Sequence, residues 1–206
     1  MALLGREPPA ARPQRARRHT RRGAAGPVVV HLALLLCVLW QVRGQGATAG
    51  LNEYAVKAAF LYQFTQFVEW PPNTFGDAAA PIVLGVLGQD PFGENLRRAT
   101  QGRTVQGRSI VVRQVQHGEQ LRQCHVLFVS ASEEHRIPDV LRTVGTAGVF
   151  TVGDSPGFAE AGGTLNFVVD AARVKFEANI GAAERSRLRI SSKLLTLARI
   201  VDRGGR

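Results

Sequence analysis

From residue 81 onward the chain alternates short, almost unbroken apolar runs with stretches of helical periodicity, and this alternation narrows the fold more than any other feature. Ile82–Leu87, bounded by Pro81 and Gly88, is the first run; Ser109–Val115, His125–Val129 and Gly148–Val152 follow. A strand that is apolar on both sides has to be covered on both sides, which is the condition of a parallel sheet between layers. Helical patterns lie between the runs, at Pro91–Thr100 with Asp90 as its cap, and at Glu133–Val144, where Pro138 delays the start. Leu165–Val169 and Val174–Ile180 read as two more strands, joined by a hairpin at Asp170–Arg173. The second of them alternates apolar with polar residues, as at a sheet edge that meets water. The expected fold is α/β: a mostly parallel sheet flanked by helices on both faces, with a C-terminal antiparallel hairpin as an edge and a closing helix.

Two further helices are expected. In the first, residues 52–69, Val56, Ala59, Phe60, Phe64 and Phe67 share one face, which Leu61 and Val68 widen; Asn52 caps the start, and Trp70-Pro71-Pro72 stops the ladder. The plain reading of this aromatic face is core packing; the sharper one is a dimer or partner surface made by Phe64, Phe67 and Trp70. The last helix, residues 182–201, sets Ile190, Leu194, Leu197 and Val201 along one side. Arg185, Arg189 and Lys193 stand at i, i+4 and i+8 on the other side, an arrangement suited either to a solvated face or to docking an acidic partner or anionic lipid.

The net charge is +10, but its distribution argues against nucleic acid. Residues 1–49 hold eight Arg and one Glu, leaving only +3 for the remainder. The Arg-rich start leads into an apolar run of 14 residues, Pro27–Trp40, short of the roughly 20 needed to span a bilayer. Ala47-Thr48-Ala49 then offers a signal-peptidase site. Residues 1–49 therefore read as a cleaved export signal, with a retained anchor as the alternative, and residues 50–206 as a single domain. Thr20-Arg21-Arg22 is a partial twin-arginine pattern, so the export route stays open. Without the leader a single cysteine remains, Cys124, too few for an intramolecular disulfide; the domain depends on its core.

Catalytic patterns are missing: there is no H-E-x-x-H, G-x-S-x-G, Walker A or C-x-x-C. His117, His125 and His135 have no metal-ligand spacing, so no metal or cofactor is expected. Cys124 and His125 are strand neighbours and point to opposite faces, so they form no thiolate–imidazole pair. If a small ligand binds, it belongs at the carboxyl ends of the strands, where Asp90, Ser130, Asp154 and Ser155 sit. The same residues are also ordinary turn and cap chemistry.

Seven segments in order carry a resemblance: Val56–Phe64 leading into Phe67–Pro71, Gly88–Gly93, Gly107-Arg108, Cys124–Phe128, Gly162–Phe167, Val174–Glu177 and Arg189–Leu195. Together they resemble the YfiR-like family of exported bacterial proteins, over residues 51–201. The resemblance implies a non-enzymatic periplasmic protein that tends to dimerise. It implies a partner as well, the periplasmic domain of an inner-membrane diguanylate cyclase or a sensor kinase, and an effect on cyclic-di-GMP signalling and biofilm formation. It also implies redox control through disulfides, from which this chain departs because Cys124 stands alone. The reading from another class is a periplasmic small-ligand-binding module, holding a small anionic ligand at the strand rim near Asp90 and Ser155 and feeding a sensor kinase or transporter.

Overall fold

The computed structural model describes residues 53–201; the expected export signal and the expected Asn52 cap lie outside the described residues. A first helix, α1 (residues 53–66), is followed by the short strand β1 (Val68–Glu69). Then come β2 (Ile82–Leu87), α2 (Glu94–Thr100), β3 (Thr104–Val105), β4 (Arg108–Val115), β5 (Val126–Val129), α3 (Ile137–Val144), β6 (Phe150–Gly153), β7 (Leu165–Asp170) and β8 (Arg173–Ala178). The chain closes with α4 (Ile180–Arg185), β9 (Arg189–Ile190), α5 (Ser192–Leu195) and β10 (Arg199–Ile200). Single 3-10 turns at Glu119–Gln123 and Ala131–Arg136 precede β5 and α3.

Eight strands form one mostly parallel sheet in the order β10-β8-β7-β6-β5-β2-β4-β3, while β1 and β9 pair separately. The five strands β4-β2-β5-β6-β7 are mutually parallel. Counted in chain order they run 2-1-3-4-5, a doubly wound order whose direction reverses between β2 and β5. The hydrophobic runs account for this centre. In β5, Val126 and Phe128 enter one apolar cluster with Leu61 and Phe64 of α1 and Leu96 of α2. The alternate residues Leu127 and Val129 enter a second cluster with Ile137, Val140 and Val144 of α3. Phe158 seals that second cluster by lying against two glycines; a Cβ at Gly153 or Gly163 would meet its ring at 2.4 or 2.1 Å.

Four expectations change. The buried side of α1 carries Leu61 and Phe64 of the expected stripe, with Val68 beyond it, but it turns towards Ala58, so Val56 and Ala59 face outward. Asp90 does not cap α2; its Oδ1 accepts the Phe92 N–H at 2.8 Å, and the helix starts after Gly93. The β7–β8 pair is antiparallel, but it is not an edge, because β10 lies parallel against β8. The single closing helix is broken into α4, β9, α5 and β10, so Arg185, Arg189 and Lys193 share no helical row. Ser186 ends α4, Arg187 takes a positive φ of 58°, and the Ser191 hydroxyl caps α5. The chain trades helix for partners elsewhere: Ile190 pairs with Val68, and Val201 N–H donates to the Ala178 carbonyl at 2.9 Å. Tertiary pairing overrides a weak local preference.

Candidate functional site

The carboxyl ends of the parallel strands form a rim, and its polar groups are largely engaged with one another. At the end of β2, Gly88 has φ +87°, and a Cβ there would lie 2.4 Å from Ser132 Oγ. The Gln89 N–H donates to that hydroxyl at 2.9 Å, and Ser130 Oγ accepts the Ser132 N–H at 3.4 Å. His117 Nε2 lies 2.7 Å from Glu133 Oε2 beside them. The reversal point between β2 and β5 is thus stitched shut by its own side chains. Asp90 is exposed outside it, and Ser130 is buried within it.

Asp154 and Ser155 leave the end of β6 one residue beyond Gly153, which pairs with Val129 of β5. Their partners come from α1. Tyr54 OH donates to Asp154 Oδ2 at 2.8 Å, and Lys57 Nζ lies 3.3 Å from the same oxygen. Lys57 also reaches Glu53 at 2.6 Å, and its ammonium sits 4.4 Å from the centre of the Tyr54 ring. The Lys57 and Asp154 side chains are 4% and 1% exposed, so this ion pair is desolvated. Burial, and then the bond to the Asp154 carboxylate, push the Tyr54 phenol far above its usual range and keep it a donor. Asp154 Oδ1 and Ser155 Oγ are buried with no hydrogen-bond partner in the protein. The arrangement clamps the start of α1 to the rim and leaves two polar atoms unspent beside the clamp.

At the opposite, amino ends of the strands lies a cleft of about 420 Å³ lined by Phe75, Arg122, Cys124, His125, Gly148 and Arg187, among others. Cys124 points away from His125 into the second core cluster, where Gly85 makes room for its sulfur. Burial pushes its thiol up to about 11, against smaller opposing effects of Arg113 and the Gly85 backbone. A second cleft, of about 470 Å³, opens between α3 and α4 and is lined by Arg142, Thr151, Thr164 and Arg185. A hollow of about 430 Å³ on the outer side of α1 is almost wholly apolar, made by Ala55, Val56, Ala59, Phe60 and Gln63.

The sequence-derived residues therefore separate. Phe64 is a core residue, 1% exposed and stacked on Phe167 at 5.5 Å. Phe67 and Trp70 are half-buried, with Trp70 edge-on to Phe75 at 6.0 Å. Arg185, Arg189 and Lys193 are all exposed, on α4, β9 and α5. Tyr54 and Lys57 escaped sequence reasoning, although the signal was present: a lysine one turn before Leu61 on the buried side of an apolar helix requires a buried counter-charge.

A family model matches residues 54–199, spanning the clamp, the rim and both clefts; its description is YfiR/HmsC-like. The chain belongs to the YfiR/HmsC-like family. Among solved structures, a conserved domain protein from Vibrio cholerae O1 biovar El Tor is similar at 12% identity and a TM-score of 0.43, over 58% of this chain and 54% of that one. The chain thus spans about half the length of that structure. No curated protein matches. Among the described residues of this YfiR/HmsC-like chain, no helix is long and apolar enough to cross a membrane.

Proposed function

We propose that this protein is an exported, periplasmic regulator that lowers the output of a membrane-bound signalling enzyme, in first place a diguanylate cyclase, by protein contact and without chemistry of its own. The observation that carries the reading is membership of a regulatory family over residues 54–199. The surface is consistent with it: the apolar hollow of α1 and the exposed cations of α4, β9 and α5 are features a protein partner can use. Regulation is then mass action. The regulator shifts the enzyme only by its differential affinity for the inactive state, and a shift from 1:99 to 99:1 needs about 5.5 kcal/mol.

Crosslinked capture from membranes tests this. The expected product is a membrane cyclase or kinase held through its periplasmic part and lost when Arg185, Arg189 and Lys193 are changed together to Glu. Capture that returns only cytosolic proteins contradicts it. A second reading, a small-ligand module feeding a sensor kinase or transporter, draws on the unpaired Asp154 Oδ1 and Ser155 Oγ. An unpaired carboxylate oxygen calls for a hydrogen-bond donor rather than an anion. A thermal-shift screen of amine-bearing solutes tests this reading; a ligand at 100 times its Kd adds about 2.7 kcal/mol.

A further inference from the structure

The loop between β1 and β2 crosses the amino ends of the strands, where the His125 ring and the Arg108 guanidinium both hold it. The backbone N–H of His125 donates to the Val83 carbonyl at 2.9 Å, and its ring folds back so that Nδ1 accepts the Val83 N–H at 3.0 Å. The ring thus replaces the next rung of the β2–β5 ladder, which only an unprotonated Nδ1 can do. Its flat face lies 4.6 Å from the Phe75 ring with 12° between the planes. The Arg108 guanidinium also covers Phe75, at 4.0 Å, and donates to the carbonyls of Asp77 and Ala80 at 2.7 and 2.8 Å.

We propose that His125 is a proton-operated latch: neutral, it pins the Phe75 segment over the cleft at the amino ends of the strands; protonated, it releases that segment and opens the cleft. Protonation places an N–H on Nδ1 directly against the Val83 N–H, so one hydrogen bond is lost and two donors face each other. The Arg108 charge opposes protonation too. Strand β4 brings Arg108, the cleft wall brings Arg122 and Arg187, and Cys124 contributes a neutral thiol. The loop's one acid, Asp77, spends its Oδ1 on the Ala79 N–H at 2.7 Å. Burial, then the Arg108 charge, hold the imidazole below its ordinary value, against a smaller upward pull from the Thr74 backbone. Release requires the ring to leave the slot, which ends the stack on Phe75, while Arg108 keeps its grip on Asp77 and Ala80. The moving part is therefore Asn73 to Gly76. This inference stands on the latch alone and does not depend on which enzyme is regulated.

The test follows hydrogen exchange at Asn73–Gly76 and Trp70 fluorescence in the purified protein between pH 7.5 and 5, with the His125 Nδ1 state read by nitrogen NMR. The expected result is an unprotonated Nδ1 at pH 7.5 and a single transition below pH 6.5. As the pH falls from about 6.5 towards the midpoint, the open population, and with it the pH-corrected exchange rate, rises roughly tenfold per pH unit, and it levels off below the midpoint as the loop becomes fully open. His125→Asn keeps an acceptor near the Nδ1 position but takes up no proton, and should abolish the transition; His117→Gln and His135→Gln should keep it. A protonated Nδ1 at pH 7.5, equal loop protection at both ends of the range, or a transition that survives in His125→Asn overturns the latch. The NMR readout on the unaltered protein decides the matter even if the Asn variant does not fold.

Discussion

At the scale of single residues, the decisive interactions are buried polar ones. Removing one partner of the Lys57–Asp154 pair strands the other in a site where both side chains are almost fully covered. Asp154→Ala and Lys57→Met should each cost about 3–5 kcal/mol, read from urea unfolding midpoints. Cys124 lies in the second core cluster, and its thiol, pushed up to about 11, is neutral at pH 8. The folded protein should resist thiol reagents at that pH and react at once in denaturant. A Cβ at Gly85 would lie 2.5 Å from Cys124 Sγ and 3.2 Å from Val115. Gly85→Ala should therefore cost about 1–3 kcal/mol by overpacking, with part of it recovered in the double variant with Cys124→Ala. The His125 pKa is lowered on folding, so between its ordinary value and that lower one the unfolded chain binds more protons. Stability should fall as pH drops through that window and level off below it, seen in denaturant midpoints taken from pH 7.5 to 4.5. That Cys124 and His125 turn to opposite sides was legible in the sequence. The ring's return to Val83 was not, because it depends on which two strands become neighbours.

At the scale of elements, strands were more legible than helices. Ile82–Leu87 coincides with β2, and β4 to β8 lie within a residue or two of their apolar runs. Unbroken apolar runs leave little choice of conformation. The β3–β4 hairpin was missed because two residues, Thr104 and Val105, carry no periodicity, although Gln106-Gly107 with φ of 51° and 80° makes the turn. The β7–β8 turn places Ala171 and Ala172 at φ 47° and 61°, a left-handed geometry that costs a residue with a Cβ roughly 1–2 kcal/mol. Changing the pair to Asn-Gly should raise stability by about 1–2 kcal/mol and lift Tm without altering the pairing. The rotation of α1 leaves Val56 38% exposed. Val56→Glu should leave Tm within a few degrees of the parent while weakening capture of a membrane partner, a split that a core residue such as Phe64 cannot give.

At the scale of the whole molecule, the parallel, doubly wound centre follows from strand hydrophobicity, whereas the closing segment does not follow from local pattern at all. Residues 182–201 have helical periodicity, but Val68 and Ala178 offer backbone partners that only the assembled fold supplies. The same logic separates the two readings of the rim. Its polar residues are held by internal contacts at β2 and β5, whereas Asp154 Oδ1 and Ser155 Oγ at the clamp, and Asn166 Oδ1 opposite Gly153, are left without a partner. A surface-acting regulator accommodates a closed rim; a ligand carrier has only that clamp and the clefts to use. The most direct measurement is cellular cyclic-di-GMP in a strain lacking this protein, complemented either by the full chain or by a version without residues 1–49. Deletion of a periplasmic repressor raises the level, and only the full chain restores it; an unchanged level, or equal rescue by the leaderless version, rules this role out.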